Sequence, residues 1–233
     1  MNNKNKIFLK SEQTNYHLTV LLLAAGKSKR FGGIKQLAPL NNRHPNDPNA
    51  SLTLIEHTLN NIKQALGLFS INTENIYIAT GQYHQKISAL LPKEASLLYC
   101  SESNLGLGHT IAQAVKYISE QSKNTSHLMI TLADQIALES DDYGQLIKQS
   151  ILFPKKIPCA KAKKCFMAPA IFPSSYFSQL TLLSADKGAR SILMKNIDQL
   201  QPVSLPKAII DIDTQQDLAQ WQSQFANNTS SIS

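Results

Sequence analysis

An apolar run that stops abruptly at glycine and lysine is the most constraining feature of this chain. Residues Leu18 to Ala25 read LTVLLLAA, which has the length and character of a buried strand, and Gly26 follows at once. Cations and further glycines crowd the next few positions, namely Lys27, Lys29, Arg30, Gly32, Gly33 and Lys35. Because glycine has no Cβ, its backbone N–H groups can approach phosphate oxygens closely. The pattern predicts a strand followed by a loop that binds a polyanion.

Two common phosphate-loop patterns are missing from this segment. The ATPase loop requires GxxxxGK followed by Ser or Thr, the dinucleotide fingerprint requires GxGxxG, and neither spacing occurs here. A solvated basic turn after a core strand is the alternative interpretation. Arginine usage favours anion binding, because only three of the 23 basic residues are arginine and two of them, Arg30 and Arg190, lie close to glycines.

The rest of the chain alternates strand-length apolar runs with helical periodicity, which is typical of an α/β fold with a largely parallel sheet. The expected strands are Leu18 to Ala25, Asn75 to Thr80, Ser96 to Cys100 and Leu128 to Ala133. The expected helices are Leu52 to Leu66, Gln82 to Leu91, Thr110 to Ser122 and Ala189 to Lys195. Asn41 to Ala50, rich in proline and asparagine, is expected to form a surface loop. We expect one domain over residues 1–233, with its core at about 18–218 and peripheral or frayed ends at 1–17 and 226–233.

Composition and charge narrow the functional classes. A formal charge of +7 would suit nucleic acid, but the lysines are scattered and no nucleic-acid-binding module is recognisable. One cluster is either a solvated surface or a rim that attracts an anionic partner: Lys155, Lys156, Lys161, Lys163 and Lys164. No segment has the roughly 20 apolar residues of a membrane span, and the N-terminal residues lack signal-peptide character. We therefore expect a cytoplasmic protein with neither nucleic acid nor membrane as partner.

The three cysteines favour reduced thiols, because an odd number in a chain of this size argues against a disulfide framework. Cys159 and Cys165 match no common zinc-binding spacing.

The glycine segment LAAGKSKRFGGIKQL, Leu23 to Leu37, is similar to the LAAGxSxRxGxxKxL signature of the molybdenum cofactor cytidylyltransferases. This resemblance implies a Rossmann-like nucleotidyltransferase domain, with Arg30 and Lys35 as catalytic residues. In that family LAAG accompanies cytidine. The nucleotide-binding residues that the resemblance implies are Leu23, Ala24, Ala25, Gly26, Lys27, Ser28, Lys35, Gly81, Asn104 and Gly106. The last two belong to SNLGLGHTI, which matches a family loop over the nucleotide; His109 within it is given no catalytic role.

A second segment, TLADQ, delivers the carboxylate of Asp134 to the end of a β-rich run. Mg²⁺ takes only one or two protein carboxylates alongside substrate phosphates, so one aspartate at a strand end is sufficient. Capping of a following helix is the alternative role. The resemblance favours metal binding, since the family has a metal-binding aspartate in LADxP, and it makes Asp134 the third expected catalytic residue beside Arg30 and Lys35. Ile136 stands where that proline is usual.

A third segment, DIDTQQDL, follows the apolar run Ala208 to Ile212. On a strand Asp211 and Asp213 would face one way and Ile212 the core, and the segment is similar to the family's DxDTxxDL. Either aspartate is therefore a candidate metal ligand. Thr214 and Asp217 are spaced as a helix cap.

The acceptor side is predicted from two further segments. SADKGAR resembles the family's GDxGAR motif, which implies that Lys187, Gly188 and Arg190 bind the acceptor, although a turn between helices is the alternative. MAPAIF, Met167 to Phe172, stands where the family has GHPxxF; Pro169 is retained, whereas the glycine and histidine are replaced. This departure weakens the assignment of the acceptor and leaves the nucleotide half intact.

Together these segments predict a Mg²⁺-dependent enzyme that transfers CMP from CTP to the phosphate of molybdopterin cofactor and releases pyrophosphate. A recipient molybdoenzyme is a further implied partner. One alternative is cytidylyl transfer to another phosphorylated small molecule, such as an isoprenoid or sugar phosphate. The other is a non-catalytic accessory protein that binds nucleotide or cofactor for molybdoenzyme maturation.

Overall fold

The computed structural model describes residues 16–44, 47–92 and 95–229, with side chains left undescribed at 41–50 and 224–229. Nine strands are described: β1 (Leu18–Leu23), β2 (Pro39–His44), β3 (Asp47–Thr53), β4 (Ile76–Thr80), β5 (Ser96–Tyr99), β6 (His127–Leu132), β7 (Ile157–Ala162), β8 (Cys165–Pro173) and β9 (Leu200–Ser204). Seven α-helices are described: α1 (Leu54–Leu68), α2 (His84–Leu90), α3 (Leu107–Gln121), α4 (Ser140–Leu152), α5 (Phe177–Leu180), α6 (Arg190–Lys195) and α7 (Gln215–Thr229).

The central sheet contains seven of the described strands in the order β5-β4-β1-β6-β8-β7-β9. All neighbouring pairs are parallel except the two that involve β8, which runs antiparallel to both β6 and β7. The molecule is thus an α/β protein with a mostly parallel sheet flanked by helices. Because six strands point the same way, their carboxyl ends form one edge of the sheet, and the N-terminal part of β8 joins that edge beside β6.

Both faces of β1 are buried, which explains its continuous apolar sequence. Leu18, Val20 and Leu22 pack into a cluster with α1 and α4, whereas Leu21 and Leu23 pack with α3 on the opposite face. A third, smaller cluster lies at the carboxyl edge, where Trp221 of α7 packs with Leu40 of the β2–β3 hairpin.

The prediction of a surface loop over Asn41 to Ala50 was wrong, since these residues lie largely in a β-hairpin. β2 and β3 are antiparallel, with Pro39 opposite Thr53 and Arg43 opposite Ser51. Proline and asparagine are depleted in strands, so the segment by itself predicts a break in secondary structure. Antiparallel pairing between β2 and β3 overrides this preference, and the sequence of one strand does not reveal its partner. Residues 45–46 lie outside the described part.

The expected strands and helices of the first half are confirmed, with small differences at their ends. Helix α1 begins at Leu54 because Thr53 caps it: the Glu56 N–H donates to Thr53 Oγ1, and the Thr53 N–H donates to the Glu56 carboxylate at 2.9 Å. Helix α3 begins at Leu107, directly after Gly106 with its φ of 124°.

The second half differs more from the expectation. Strands β7, β8 and β9 and helix α4 were not predicted from the sequence. The apolar run Ala208 to Ile212 does not form a strand: Pro206–Ile209 form a 3₁₀ turn, and residues 210–213 belong to no described helix or strand. One N–H, that of Ile212, donates to the Asp134 carbonyl at 3.3 Å. The segment is therefore fixed by a loop contact rather than by a sheet ladder.

Within the described residues, no helix is long and apolar enough to cross a membrane. Residues 226–229 form the last turn of α7, whereas residues 1–15 and 230–233 lie outside the described part. The expected peripheral or frayed ends at 1–17 and 226–233 stay a prediction. The single-domain organisation stays a prediction.

We predict that Leu22→Ala lowers the free energy of unfolding by about 2–5 kcal/mol, because Leu22 is fully buried between β4, β6 and the flanking helices. Urea denaturation followed by circular dichroism measures this change. Leu182→Ala is the matched control, since Leu182 is 81% exposed, and a change within about 0.5 kcal/mol is expected. Equal effects of the two substitutions would contradict this assignment of the core.

Candidate active site

The glycine loop, residues 24–36, follows β1 and is folded onto itself by polar contacts. The Ala24 N–H still donates to the Ala79 carbonyl of β4 at 2.8 Å, after which the chain leaves the sheet. Ser28 adopts a φ of 50°, and its Oγ accepts from the Lys35 N–H at 3.3 Å. Gly32 also has a left-handed φ, of 73°, which glycine adopts without steric cost. These turns bring Lys35 back to the end of the strand.

Lys35 lies at the centre of an ion network that joins three segments. Its Nζ donates to Asp134 Oδ2 at 2.6 Å and to Asp213 Oδ1 at 3.3 Å. Arg30 Nη2 donates to the second oxygen of Asp213 at 2.8 Å. The glycine loop, the loop after β6 and the segment before α7 therefore meet through four charged side chains.

Burial differs sharply among these charged groups. The Lys35 side chain is 9% exposed and that of Asp134 26%, whereas Arg30 is 73% exposed. A pair as exposed as Arg30 and Asp213 contributes little to stability, about 0–1 kcal/mol. The network is consequently anchored at Lys35, and the guanidinium group of Arg30 is free to exchange its partner for a ligand.

A cavity of about 580 Å³ opens above this network at the carboxyl edge of the sheet. Its lining combines cations and acids with backbone from four loops: Leu23, Ala25, Gly26, Lys27, Ser28, Lys29, Arg30, Lys35, Gln36, Ser103, Asn104, Gly106, Leu107, Thr110, Leu132, Ala133, Asp134, Asp186 and Asp213. Parallel sheets bind ligands at this edge, and four cations facing three carboxylates suit an anion accompanied by a metal ion.

Two of the predicted nucleotide-binding residues lie behind this cavity rather than in its wall. Ala24 is 2% exposed and belongs to the core. A Cβ on Gly81 would collide with Ser103 Oγ and lie 3.1 Å from the Ala25 carbonyl oxygen, and both of these residues line the cavity. Gly81 therefore permits the close packing of the two walls. The other predicted nucleotide-binding residues line the cavity directly.

The glycine loop is tied to the facing loop by Lys27. Its Nζ donates to the Asn104 carbonyl at 3.3 Å, while its own carbonyl accepts from Tyr83 Oη, also at 3.3 Å. Loops that follow β1, β4 and β5 thus close one side of the cavity.

The predicted acceptor-binding residues surround the cavity but do not line it. Gly188 packs against Leu107, and Arg190 is exposed at the start of α6. Pro169 follows Ala168 in β8, and the Ala168 carbonyl accepts at 3.0 Å from Gln135, the residue after Asp134. Lys187 is exposed beside Asp186, which is the residue of this loop that reaches the cavity.

The three predicted metal ligands are not brought together as one cluster. Within the described residues, no group of three or more His, Cys, Asp or Glu side chains could hold a metal ion. Asp134 and Asp213 meet at Lys35, but Asp211 lies outside the cavity lining. Asp134 Oδ1 is buried and has no hydrogen-bond partner among the described residues. The donor set therefore fits a hard cation that takes one or two carboxylates and completes its shell with phosphate oxygens and water.

Sequence reasoning missed several cavity residues. Gln36 holds the glycine loop through a bond from its Nε2 to the Gly26 carbonyl, and Thr110 lies at the first turn of α3. Neither carried a signal apart from proximity to a motif. Asp186 could have been found, because it occupies the aspartate position of the GDxGAR pattern.

The cysteines take no part in this site. All three are free, and burial raises the pKa of Cys100 to about 11 and that of Cys159 to about 12. Thiols with such pKa values stay protonated and are poor nucleophiles and metal ligands.

Asp211 keeps some solvent exposure, yet its pKa is raised to about 6, first by burial of the carboxyl group and then by the charges of Asp134 and Asp213. In the unfolded chain the same group titrates near 3.9. The folded state therefore holds this proton more tightly, so stability declines as the pH rises from about 4 to about 6 and stays lower above that range.

We predict that Asp211→Asn raises the melting temperature at pH 8 and leaves it unchanged below pH 4. Thermal unfolding of the protein in a chelator, without nucleotide, measures this difference. Asp141→Asn on the exposed start of α4 serves as control and should show no comparable gain. A melting temperature at pH 8 equal to or below that of the parent protein would contradict the raised pKa.

Comparison with known proteins gives this geometry a context. The chain is 27% identical over 177 residues to the purine catabolism protein PucB of Bacillus subtilis. The matched residues make up 76% of this chain and 80% of PucB. It is also 32% identical over 107 residues to the bifunctional protein GlmU of Francisella tularensis subsp. novicida. That match spans 45% of this chain and only 20% of GlmU.

Solved structures share the fold over nearly the whole chain. Rv0371c from Mycobacterium tuberculosis H37Rv has a TM-score of 0.71 at 18% identity, covering 91% of this chain and all of that one. Its manganese complex has a TM-score of 0.69 at 17% identity and covers 90% of this chain and 100% of that one. A CMP:2-keto-3-deoxy-manno-octonic acid synthetase complexed with CTP has a TM-score of 0.62 at 11% identity, with 91% and 99% coverage. Identities this low establish the fold alone.

A family match is more specific than these likenesses. The MobA-like NTP transferase domain matches residues 20–202, which include the glycine loop, Asp134 and the 184–190 loop. We conclude that the chain belongs to the MobA-like NTP transferase family.

Proposed function

We propose that this nucleotidyltransferase passes CMP from CTP to the phosphate of molybdopterin cofactor in a Mg²⁺-dependent reaction. One observation carries the proposal: Arg30, Lys35, Asp134 and Asp213 line one cavity at the carboxyl edge of the sheet. Membership of the NTP transferase family supports a nucleoside triphosphate as the donor.

The reaction needs no nucleophile from the protein. An oxygen of the acceptor phosphate attacks the α-phosphorus of CTP, the bond from that phosphorus to the bridging oxygen breaks, and pyrophosphate leaves with the bonding electrons. Two substrate anions must be brought together in line, so positioning and charge neutralisation supply the catalysis.

Cations of the glycine loop supply the neutralising charge in this proposal. Arg30 is exposed and bound only at the cavity rim to Asp213, so a phosphate can replace that carboxylate and accept both guanidinium N–H groups. Lys35 is held at the strand end and would face the charge that grows on the leaving pyrophosphate. The loop N–H groups near Gly26 would hold the remaining phosphate oxygens.

Asp134, through its unpartnered Oδ1, and Asp213 are the residues that would hold Mg²⁺. An ion held there would supply positive charge that offsets the negative charge of the substrate phosphates. Asp211 lies outside the cavity lining, so in this proposal it would contact the ion through a water molecule and not directly.

The choice of base rests on the resemblance. Ala25 lines the cavity and carries a methyl group where a second glycine would leave more room, and the LAAG form accompanies cytidine in the family. CTP is accordingly the favoured donor.

A second acceptor class is favoured by one observation. Met167 replaces the glycine of the family's GHPxxF segment and packs against the core. Ala168 stands where that segment has its histidine. This change falls at the acceptor side, so another phosphorylated small molecule is the competing acceptor. A non-catalytic carrier would bind nucleotide or cofactor without releasing pyrophosphate.

We predict that Lys35→Ala and Asp134→Ala each lower the turnover number on the order of 10²-fold or more, because each removes a preorganised charge from the reacting phosphates. Pyrophosphate release with CTP, molybdopterin cofactor and Mg²⁺ measures the loss, and circular dichroism checks the fold. Lys155→Ala, an exposed cation distant in sequence from every cavity residue, is the control and should keep parental turnover. Near-parental rates in both site variants would remove these residues from catalysis.

We also predict that, among the four ribonucleoside triphosphates, CTP binds most tightly and only in the presence of a divalent cation. Isothermal titration calorimetry with Mg²⁺, Mn²⁺ or a chelator tests both points. Pyrophosphate release should then appear with molybdopterin cofactor and not with isoprenoid or sugar phosphates. Release with one of those phosphates would establish the competing acceptor, and tight CTP binding without any release would establish the carrier.

A further inference from the structure

Two loops that border the cavity are in direct contact with each other. We name them the nucleotide loop, residues 103–109, and the acceptor loop, residues 184–188. A Cβ on Gly106 would lie 2.5 Å from the Ala185 carbonyl carbon and oxygen, and a Cβ on Gly108 would lie 2.6 Å from the Ser184 carbonyl oxygen. Both glycines are therefore needed for the loops to approach this closely.

Ala185 is the residue of the acceptor loop that forms hydrogen bonds with the nucleotide loop. Its carbonyl accepts from the Gly108 N–H at 2.8 Å, and its N–H donates to His109 Nδ1 at 2.9 Å. Its φ of 51° lies in the left-handed region, which an L residue with a Cβ disfavours. Ala185 is exposed to solvent on its free side, so these two hydrogen bonds are what holds its backbone in this conformation.

Of the two hydrogen bonds to Ala185, the one from its N–H to His109 depends on a side chain. The imidazole is half-buried, and Nδ1 accepts a hydrogen bond only when that nitrogen carries no proton. The Gly108 bond is a main-chain contact that involves no side chain, whereas the bond to Nδ1 is specific to the histidine.

The two hydrogen bonds to Ala185 also fix the position of the next residue, Asp186, which lines the cavity. Asp186 follows Ala185 directly and lines the cavity opposite Asn104 of the nucleotide loop. Gly188, two residues further on, packs against Leu107, which also lines the cavity. A loosened Ala185 would displace Asp186 and the residues that lead to Arg190.

We propose that His109 is a positioning residue that holds the acceptor loop against the nucleotide loop and thereby sets the affinity for the acceptor. The inference rests on the proposed function, since it assigns the 184–188 loop to the acceptor. His109 touches no substrate itself, and it acts through the main chain of Ala185.

Two substitutions separate positioning from a general structural role. His109→Leu removes the hydrogen-bond-accepting atom Nδ1. His109→Asn places Oδ1 close to the position of Nδ1 and so retains a hydrogen-bond-accepting atom there. Gln113→Leu is the matched control: Gln113 lies on the same helix and binds Ser101 and Glu102, without contact to the acceptor loop.

The first measurement is hydrogen exchange of the nucleotide-free protein, which does not depend on activity. We expect the amides of residues 184–188 to exchange about tenfold faster in His109→Leu, because the Ala185 N–H loses its acceptor. His109→Asn and Gln113→Leu should match the parent protein there. Unchanged exchange in His109→Leu would overturn the proposal.

The second measurement is steady-state pyrophosphate release with CTP and molybdopterin cofactor. His109→Leu should raise KM for the cofactor on the order of five- to tenfold, as expected for one lost hydrogen bond, with KM for CTP within about twofold of the parent. His109→Asn should restore the parental value. Faster exchange with an unchanged KM for the cofactor, or an equal rise in both KM values, would reduce His109 to a structural residue. Absence of turnover in the parent protein would instead refute the proposed function, and the exchange result would still decide whether His109 holds the loop.

Discussion

The ammonium group of Lys35 holds three distant segments of the chain at one point. It bonds to Asp134, near the start of the loop after β6, and to Asp213, which precedes α7, while its own backbone N–H donates to Ser28 Oγ. Removing this cation would be costly, because Asp134 would lose the ammonium group that it binds and Asp213 would keep only the exposed guanidinium group of Arg30. The sheet brings the strand ends together, but the Lys35 side chain determines which charged groups meet there.

This arrangement makes anion binding an exchange of partners. A triphosphate brings more negative charge than the two aspartates that Arg30 and Lys35 now contact, so it competes for the same cations. Each cation that turns toward phosphate releases an oxygen of Asp213 or Asp134. In the proposed reaction those released oxygens would join the unpartnered Oδ1 of Asp134 as ligands for a divalent cation, so nucleotide and metal binding should favour each other. The partly buried position of Lys35 strengthens this coupling, since screening by solvent is weaker there.

Periodicity and motifs predicted the first half of the fold well because its interactions are local or repeat along one strand. The apolar run of β1 is visible within a few residues, and the capping box that begins α1 joins residues only three apart. The hairpin over 39–53 and strand β8 were missed because their pairing partners are defined only by tertiary structure. For the site, the motif placed most of the cavity wall, but it could not separate residues in contact with the cavity from those behind it. Ala24 and Gly81 are of the second kind, and their role is packing.

The reversed direction of β8 keeps the MAPAIF segment apart from the loops that follow β1, β4 and β5. Antiparallel pairing with β6 puts Ala168 and Pro169 at the carboxyl edge, beside the end of the strand that carries Asp134. Gln135 binds the Ala168 carbonyl and that of Ala208, so the loop of Asp134 and the start of β8 move as one unit. The nucleotide side is built separately, from loops after β1, β4 and β5. In the proposed function, the methionine at 167 would therefore alter the choice of acceptor while the network of Arg30, Lys35, Asp134 and Asp213 stays unchanged.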